Sequence, residues 1–110
     1  MLAHIPDLLQ GTLDLLILKS LAPAPLHGWA ISKRIQQMSS DVLTVNQGSL
    51  YPALYRLEDR GWIASKPALS PEGRRIKVYR LTAAGRRQLS HEIDAWHHFA
   101  RAIDHVVAAT

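Results

Sequence analysis

Apolar residues along the chain recur at helical spacing in four segments and at strand spacing in one. Leu9, Leu13, Leu16 and Ile17 mark a first helix running to about Leu21, with Asp7 placed to cap it. Leu15 and Leu18 add apolar surface on its remaining sides, which predicts a helix buried all round, in part by a second subunit. The prolines of "APAPL" break the chain, and a second helix is expected from about His27 to Met38. It should turn Ile31, Ile35 and Met38 inward and Lys33, Arg34 and Gln37 outward. "SSDVLTV" reads as an irregular connector that ends in a short strand. Leu50, Leu54 and Leu57 form the apolar face of a third helix that finishes near Arg60, with Gly61 as its stop.

The pattern changes after Gly61. "WIASKPALSPEGRRIKVYRL" reads as strand, turn and strand, with Ile76 and Val78 alternating with Lys77 and Tyr79, and Pro71 and Gly73 in the turn. Thr82 can cap a last helix reaching about Val107. Along it Leu89, Ile93, Trp96, Ala100, Ile103 and Val107 follow alternating four- and three-residue steps, the seam a partner helix would cover. Phe99 and Val106 widen that seam. The expected class is mainly α with a small β-hairpin: a winged helix-turn-helix plus a long C-terminal dimerisation helix. Residues 1–81 would carry the first part and residues 82–110 the second, packed as one compact unit.

Pro52 sits inside the third helical repeat, where a helix interior loses a hydrogen bond to it. The pattern is reconciled if the helix is only beginning there. Its polar first turn, with Asn46, Gln47, Ser49 and Tyr51, would then be offered to solvent or to a ligand.

Composition narrows the field. At 110 residues and 12.3 kDa the chain suits one domain with a modest core, and 47% hydrophobic residues argue against disorder. A formal charge of +4 favours polyanionic partners only mildly. With no cysteine, disulfides, thiolate metal sites and cysteine nucleophiles are excluded. Neither a secretory leader nor an apolar run long enough to span a bilayer is evident, so a cytoplasmic protein is expected.

Positive charge is concentrated unevenly. Lys66, Arg74, Arg75, Lys77 and Arg80 cluster in and around the hairpin, where Glu72 is the only acid. Such a loop could take DNA phosphates or enter a minor groove; the alternative is a solvated edge hairpin guarded by its charges. An exposed third helix fits a major groove. Asn46 and Gln47 could pair with adenine or phosphate, Ser49 with either, and Arg56 with phosphate or guanine, while Tyr55 lies on the same polar side. Lys33, on the outward face of the second helix, joins these candidates. The alternative is an ordinary amphipathic helix with a solvated face.

The histidines do not form a metal site on this spacing. "HEIDAWHH" lacks a second histidine four positions after His91, and His91, His98 and His105 are about 10 Å apart in sequence along a helix. No nucleophile–base arrangement and no Gly-rich phosphate loop is present, so no catalytic residue and no cofactor is expected. Trp96 fits core packing between paired helices, or, beside its symmetry mate, a slot for a flat aromatic ligand.

Four blocks, "LLQGTLDLLILKSL", "LHGWAISKRIQ", "GSLYPALYRLEDRGWI" and "KVYRLTAAGRRQL", together resemble the PadR family of bacterial transcriptional regulators, the first block being similar to its acidobacterial branch. The resemblance implies a winged-helix homodimer that represses transcription from a palindromic operator. Its single C-terminal helix would pair with its mate and with the first helix, which assigns Leu13, Leu16 and Ile17 to the interface beside Leu89, Ile93, Trp96, Ala100, Ile103 and Val107. It also implies that Tyr51 and its neighbours face double-stranded DNA, that residues 66–80 are the wing, and that a small aromatic or phenolic effector could lie against Trp96. Trp29 stands where the family usually has tyrosine. Gly85, unfavourable inside a helix, predicts close approach of a neighbouring backbone. The rival class is a helical adaptor that dimerises through the last helix and binds no DNA.

Overall fold

The structure, a computed structural model, describes residues 3–4 and 10–110. The Asp7 cap lies outside the described residues. Helix α1 spans Gln10–Leu21 and α2 Gly28–Met38, and between them the two-residue strand β2, Leu26–His27, follows the proline break. After α2 the chain turns through Ser40 and Asp41, both with positive φ (52° and 67°), into a second short strand, β3, Leu43–Thr44. This strand pairs in parallel with β1, Ala3–His4. Helix α3 spans Gln47–Asp59, strands β4 and β5 span Ile63–Leu69 and Arg75–Leu81, and α4 spans Ala83–Ala108.

The hairpin is fully registered, from Ile63 opposite Leu81 to Leu69 opposite Arg75. Its tip closes where Ser70 and Arg74 bond through their backbones and Gly73 adopts φ +82°, a left-handed conformation that glycine accepts without strain. Strand β2 adds to the other edge of β5, so the sheet has three strands in the order β2-β5-β4. Nothing in the periodicity of "APAPL" announces this third strand, because two residues are too few to show a period.

Leu50, Leu54 and Leu57 from α3 meet Leu13, Ile17, Leu18 and Leu21 from α1, with Ile31 and Ile35 from α2 and Ile63, Tyr79 and Leu81 from the sheet. Helix α1 is thus covered mainly by its own chain. Leu13, Ile17 and Leu89, expected at a subunit interface, are each less than a tenth exposed within the protomer. They support the helices from beneath, which corrects the expectation that a partner covers them. Leu16 and Ile93 are partly buried against the same core. Met38, expected inside, is about half exposed because it ends its helix where none of the described elements covers it.

The terminus of α3 is fixed by backbone geometry. Gly61, at φ +77°, donates to the carbonyl of Glu58, and Trp62 donates to that of Leu57, the paired bonds of a Schellman ending. Pro52 lies further into α3 than a first-turn proline would. Five helical residues precede it, ~1.4 turns at 3.6 residues per turn. The helix forgoes one backbone bond at this point, on a surface where both Gly48 and Pro52 are exposed to water. Thr82 caps α4 as expected, its hydroxyl accepting from the Gly85 N–H at 3.0 Å and donating to the Gly61 carbonyl at 2.7 Å. No helix among the described residues is long and apolar enough to cross a membrane.

Candidate nucleic-acid interface

Helix α3 begins at Asn46, whose side chain accepts from the Ser49 N–H at 2.9 Å and so satisfies one of the first-turn donors. The Asn46 carboxamide oxygen is therefore committed to the helix, which leaves its NH2 as the group free to meet a ligand. Gln47 is exposed beside it, Ser49 is half-buried, and Tyr51 and Tyr55 project from the next turn, Tyr55 at 76% exposure. Leucines at the intervening positions hold the opposite face in the core, so these polar side chains point outward for the same reason that the leucines point in.

The expected wing carries its charge in the open. Lys66, Arg74, Arg75, Lys77 and Arg80 are all exposed. Between α3, the start of α2 and strand β5 lies a cleft of about 460 Å³. Trp29, Tyr51 and Tyr79 provide its aromatic walls, and Arg75 and Lys77 its cations. Tyr51 of α3 and two basic residues of the hairpin thus line one concavity, although they are more than twenty positions apart in sequence.

The Tyr51 ring of α3 lies close over Gly28 of α2. A Cβ there would lie 3.0 Å from the ring and hydroxyl of Tyr51, tighter than ordinary contact. Lys33 holds its ammonium 5.9 Å from the centre of the Trp29 ring, a cation–π arrangement on the rim of the same surface. Linear periodicity gives no sign of His27, Trp29 or Tyr79 as neighbours of Tyr51. The readable trace is the small residue at position 28, which permits the contact. Tyr79 has its phenol pushed above the ordinary value by burial and then by the nearby Glu58 carboxylate, so it stays a neutral hydroxyl at physiological pH.

Arg56 departs from the sequence expectation. Its guanidinium donates to the carboxylate of Asp14 on α1, forming a partly buried ion pair. Being helical neighbours of Tyr55 was enough to suggest an outward side chain, but an arginine stem is long enough to reach back across the helix to an acid. Arg56 is consequently not among the groups displayed with Gln47 and Tyr55.

Along α4 the inner face ends near Ile93. Beyond it Trp96, Phe99, Ile103, Val106 and Val107 are all at least 40% exposed, and Ala100 is partly so. The Trp96 and Phe99 rings stand 6.2 Å apart at a 53° tilt. They border a cleft of about 250 Å³ against Gly11, Thr12 and Leu15 of α1, with Glu92 at its side. Gly85 lies near the other end of α4, where a Cβ would fall 1.9 Å from the Trp62 carbonyl oxygen, so the expected close backbone approach is present. Among the described residues no group of three or more His, Asp or Glu side chains is gathered as for a metal ion.

Three helices, a two-stranded wing and a third short strand define a winged helix-turn-helix, a class that reads double-stranded DNA. The chain belongs to the transcriptional regulator PadR-like family, whose profile matches residues 17–91. It is similar to a transcriptional regulator of Mycobacterium tuberculosis, 36% identical over 94 residues, covering 86% of this chain and 84% of that protein. In structure it is similar to a transcriptional regulator from Clostridium thermocellum, with TM-score 0.81 and 27% identity over 90% of this chain and 96% of the other. A PadR family transcriptional regulator from Eggerthella lenta gives TM-score 0.77 and 28% identity, over 94% of this chain and 88% of its own. These relatives are transcriptional regulators. The protein is accordingly a DNA-binding transcriptional regulator, and the adaptor reading gives way to it.

Proposed function

We propose that the protein acts as a homodimeric repressor on a palindromic operator, with α3 entering the major groove and the wing following the adjacent backbone. The observation that carries this reading is the cleft shared by Tyr51 of α3 and by Arg75 and Lys77 of the hairpin. A duplex laid along it would meet a polar helix and a row of cations together. Gln47, Ser49, Tyr51 and Tyr55, with the Asn46 amide, would supply the groove contacts. Lys33, Lys66, Arg74, Arg75 and Lys77 would take phosphates. Two such helices across a dimer axis would read half-sites about 34 Å apart.

The exposed stripe from Trp96 to Val107 supports pairing through α4, because an apolar helix face of that length is costly to leave in water. On this reading residues 1–81 bind DNA and residues 82–110 pair the protomers. The cleft beside Trp96 suits a small flat aromatic effector, since its walls are indole, phenyl and leucine. Indole fluorescence should then be quenched by aromatic cations.

The test is a titration against the duplex upstream of the protein's own gene, with scrambled competitor, at two salt concentrations. Binding that survives competitor is expected. Binding abolished by competitor at both salts would refute autoregulation through that site, and none even at low salt would refute the reading as a whole.

A further inference from the structure

Leu50, Ala53, Leu54 and Leu57 pack α3 into the core, and a close-packed face transmits small displacements of the helix it carries. Polar contacts add a directional constraint to that packing. Arg56, near the end of α3, is held by Asp14 in the middle of α1, 42 positions away in sequence. The side chains of the two are 24% and 10% exposed, so the pair is shielded from most of the screening that weakens surface ion pairs. Glu58, two residues further on, accepts a hydrogen bond from the Ser65 hydroxyl of β4, tying the same turn to the wing.

We propose that Asp14 is a positioning residue for DNA reading: through Arg56 it sets the rotation of α3, and so decides which operator sequences the exposed side chains can match. The inference rests on the proposed use of α3 as the groove-reading helix. The magnitude favours it. A rotation of about 20° at a side-chain radius of ~6 Å moves a tip by roughly 2 Å, which exceeds the range over which a hydrogen bond to a base edge survives. Phosphate contacts from the wing would be untouched by the same rotation. Loss of the pair should therefore reduce discrimination between sequences and leave non-specific affinity nearly intact.

The test compares wild type with Asp14→Asn, Arg56→Gln and the double variant. The double variant places two neutral amides at the site, so it keeps the protein folded if either single variant, with one partner left unpaired, does not. Operators are first selected by the wild-type protein from a randomised duplex pool. Each variant is then titrated against the selected and scrambled duplexes across salt. The expected result is about a tenfold loss in the ratio of specific to non-specific affinity, equal in the two single variants and no greater in the double, with the salt slope unchanged. An Arg56→Gln variant that lowers the salt slope by about 0.9 while Asp14→Asn does not would mean that Arg56 touches phosphate itself, and would overturn the proposal. So would full discrimination in the double variant.

Amide hydrogen exchange without DNA separates this claim from the function it rests on. Residues 47–59 should exchange faster in Asp14→Asn while the start of α4 does not. Unchanged exchange in α3 overturns the positioning role, whereas a wild-type protein that selects no sequence overturns the repressor reading instead.

Discussion

Replacing Gly85 by alanine puts two principles in direct opposition. Gly85 is the third residue of α4, and on helix propensity alone alanine there should add about 1 kcal/mol of stability. The surroundings say otherwise. A methyl group at this position would lie 1.9 Å from the Trp62 carbonyl oxygen, about 1.5 Å short of an ordinary contact at 3.4 Å, and 2.8 Å from a Leu81 methyl. The Leu81 side chain could yield, but the carbonyl is backbone, and it accepts the Thr82 N–H at 3.1 Å. Moving it away strains that bond and disturbs Thr82, whose hydroxyl caps the helix. Overpacking costs ~1–3 kcal/mol and a lost backbone bond ~1 kcal/mol, so the net after the propensity gain is a loss of about 2 kcal/mol. At fixed protein concentration this should lower Tm by roughly 10 °C and shift the denaturant midpoint without changing the slope. A Gly85→Ala protein as stable as wild type would refute the reasoning, because it would mean that the two backbones are not in contact.

Further expectations concern the interface and the ion pair. Asn46→Ala should cost about 1 kcal/mol through the lost cap, while Asn46→Ser should keep stability and change only sequence preference, as separate denaturation and binding titrations would reveal. Arg74→Ala with Arg75→Ala should weaken binding to every duplex and reduce the slope of log affinity against log salt by up to about 1.8. Ile103→Asp, on the exposed stripe of α4, should shift sedimentation toward the monomer while the circular dichroism of each protomer persists. Asp14 has its carboxyl raised above the ordinary value because burial outweighs the hydrogen bond and charge of Arg56. A raised acid contributes stability below its unfolded pKa and loses it as pH rises through the folded one. Relative to Asp14→Asn, wild type should therefore gain stability on acidification below the neutral range, as urea titrations at two pH values would measure.

Much of the fold is legible in residue order because it depends on local rules. The leucine spacing of α3, the Gly61 stop, the Thr82 cap and the alternation of β5 each depend on backbone geometry within a few residues, and each is found where its pattern puts it. Gly85 was readable too, as an unfavourable residue that demanded a reason. What periodicity cannot state is which neighbour covers an apolar face. Leu89 looks like a seam residue from its spacing, and the resemblance puts Leu13 and Ile17 beside it, yet their own chain covers all three, while Trp96 and Ile103 continue the seam past the point where the core ends. Met38 lies outside for the corresponding reason. The very short strands β1 and β2 escape notice because two residues show no period and are held only by their partners, whereas β3 is found at the end of "SSDVLTV", where a short strand was expected. Arg56 belongs to the same group: nothing near it in sequence reveals Asp14, and only the packing of α1 against α3 brings the acid within reach of a flexible arginine. Sequence by itself determined the four helices, the hairpin and most of their outward chemistry, since hydrogen bonding and amphipathic patterning are local. Tertiary structure decided which charges are displayed and which are already paired, because that depends on distances between residues far apart in the chain.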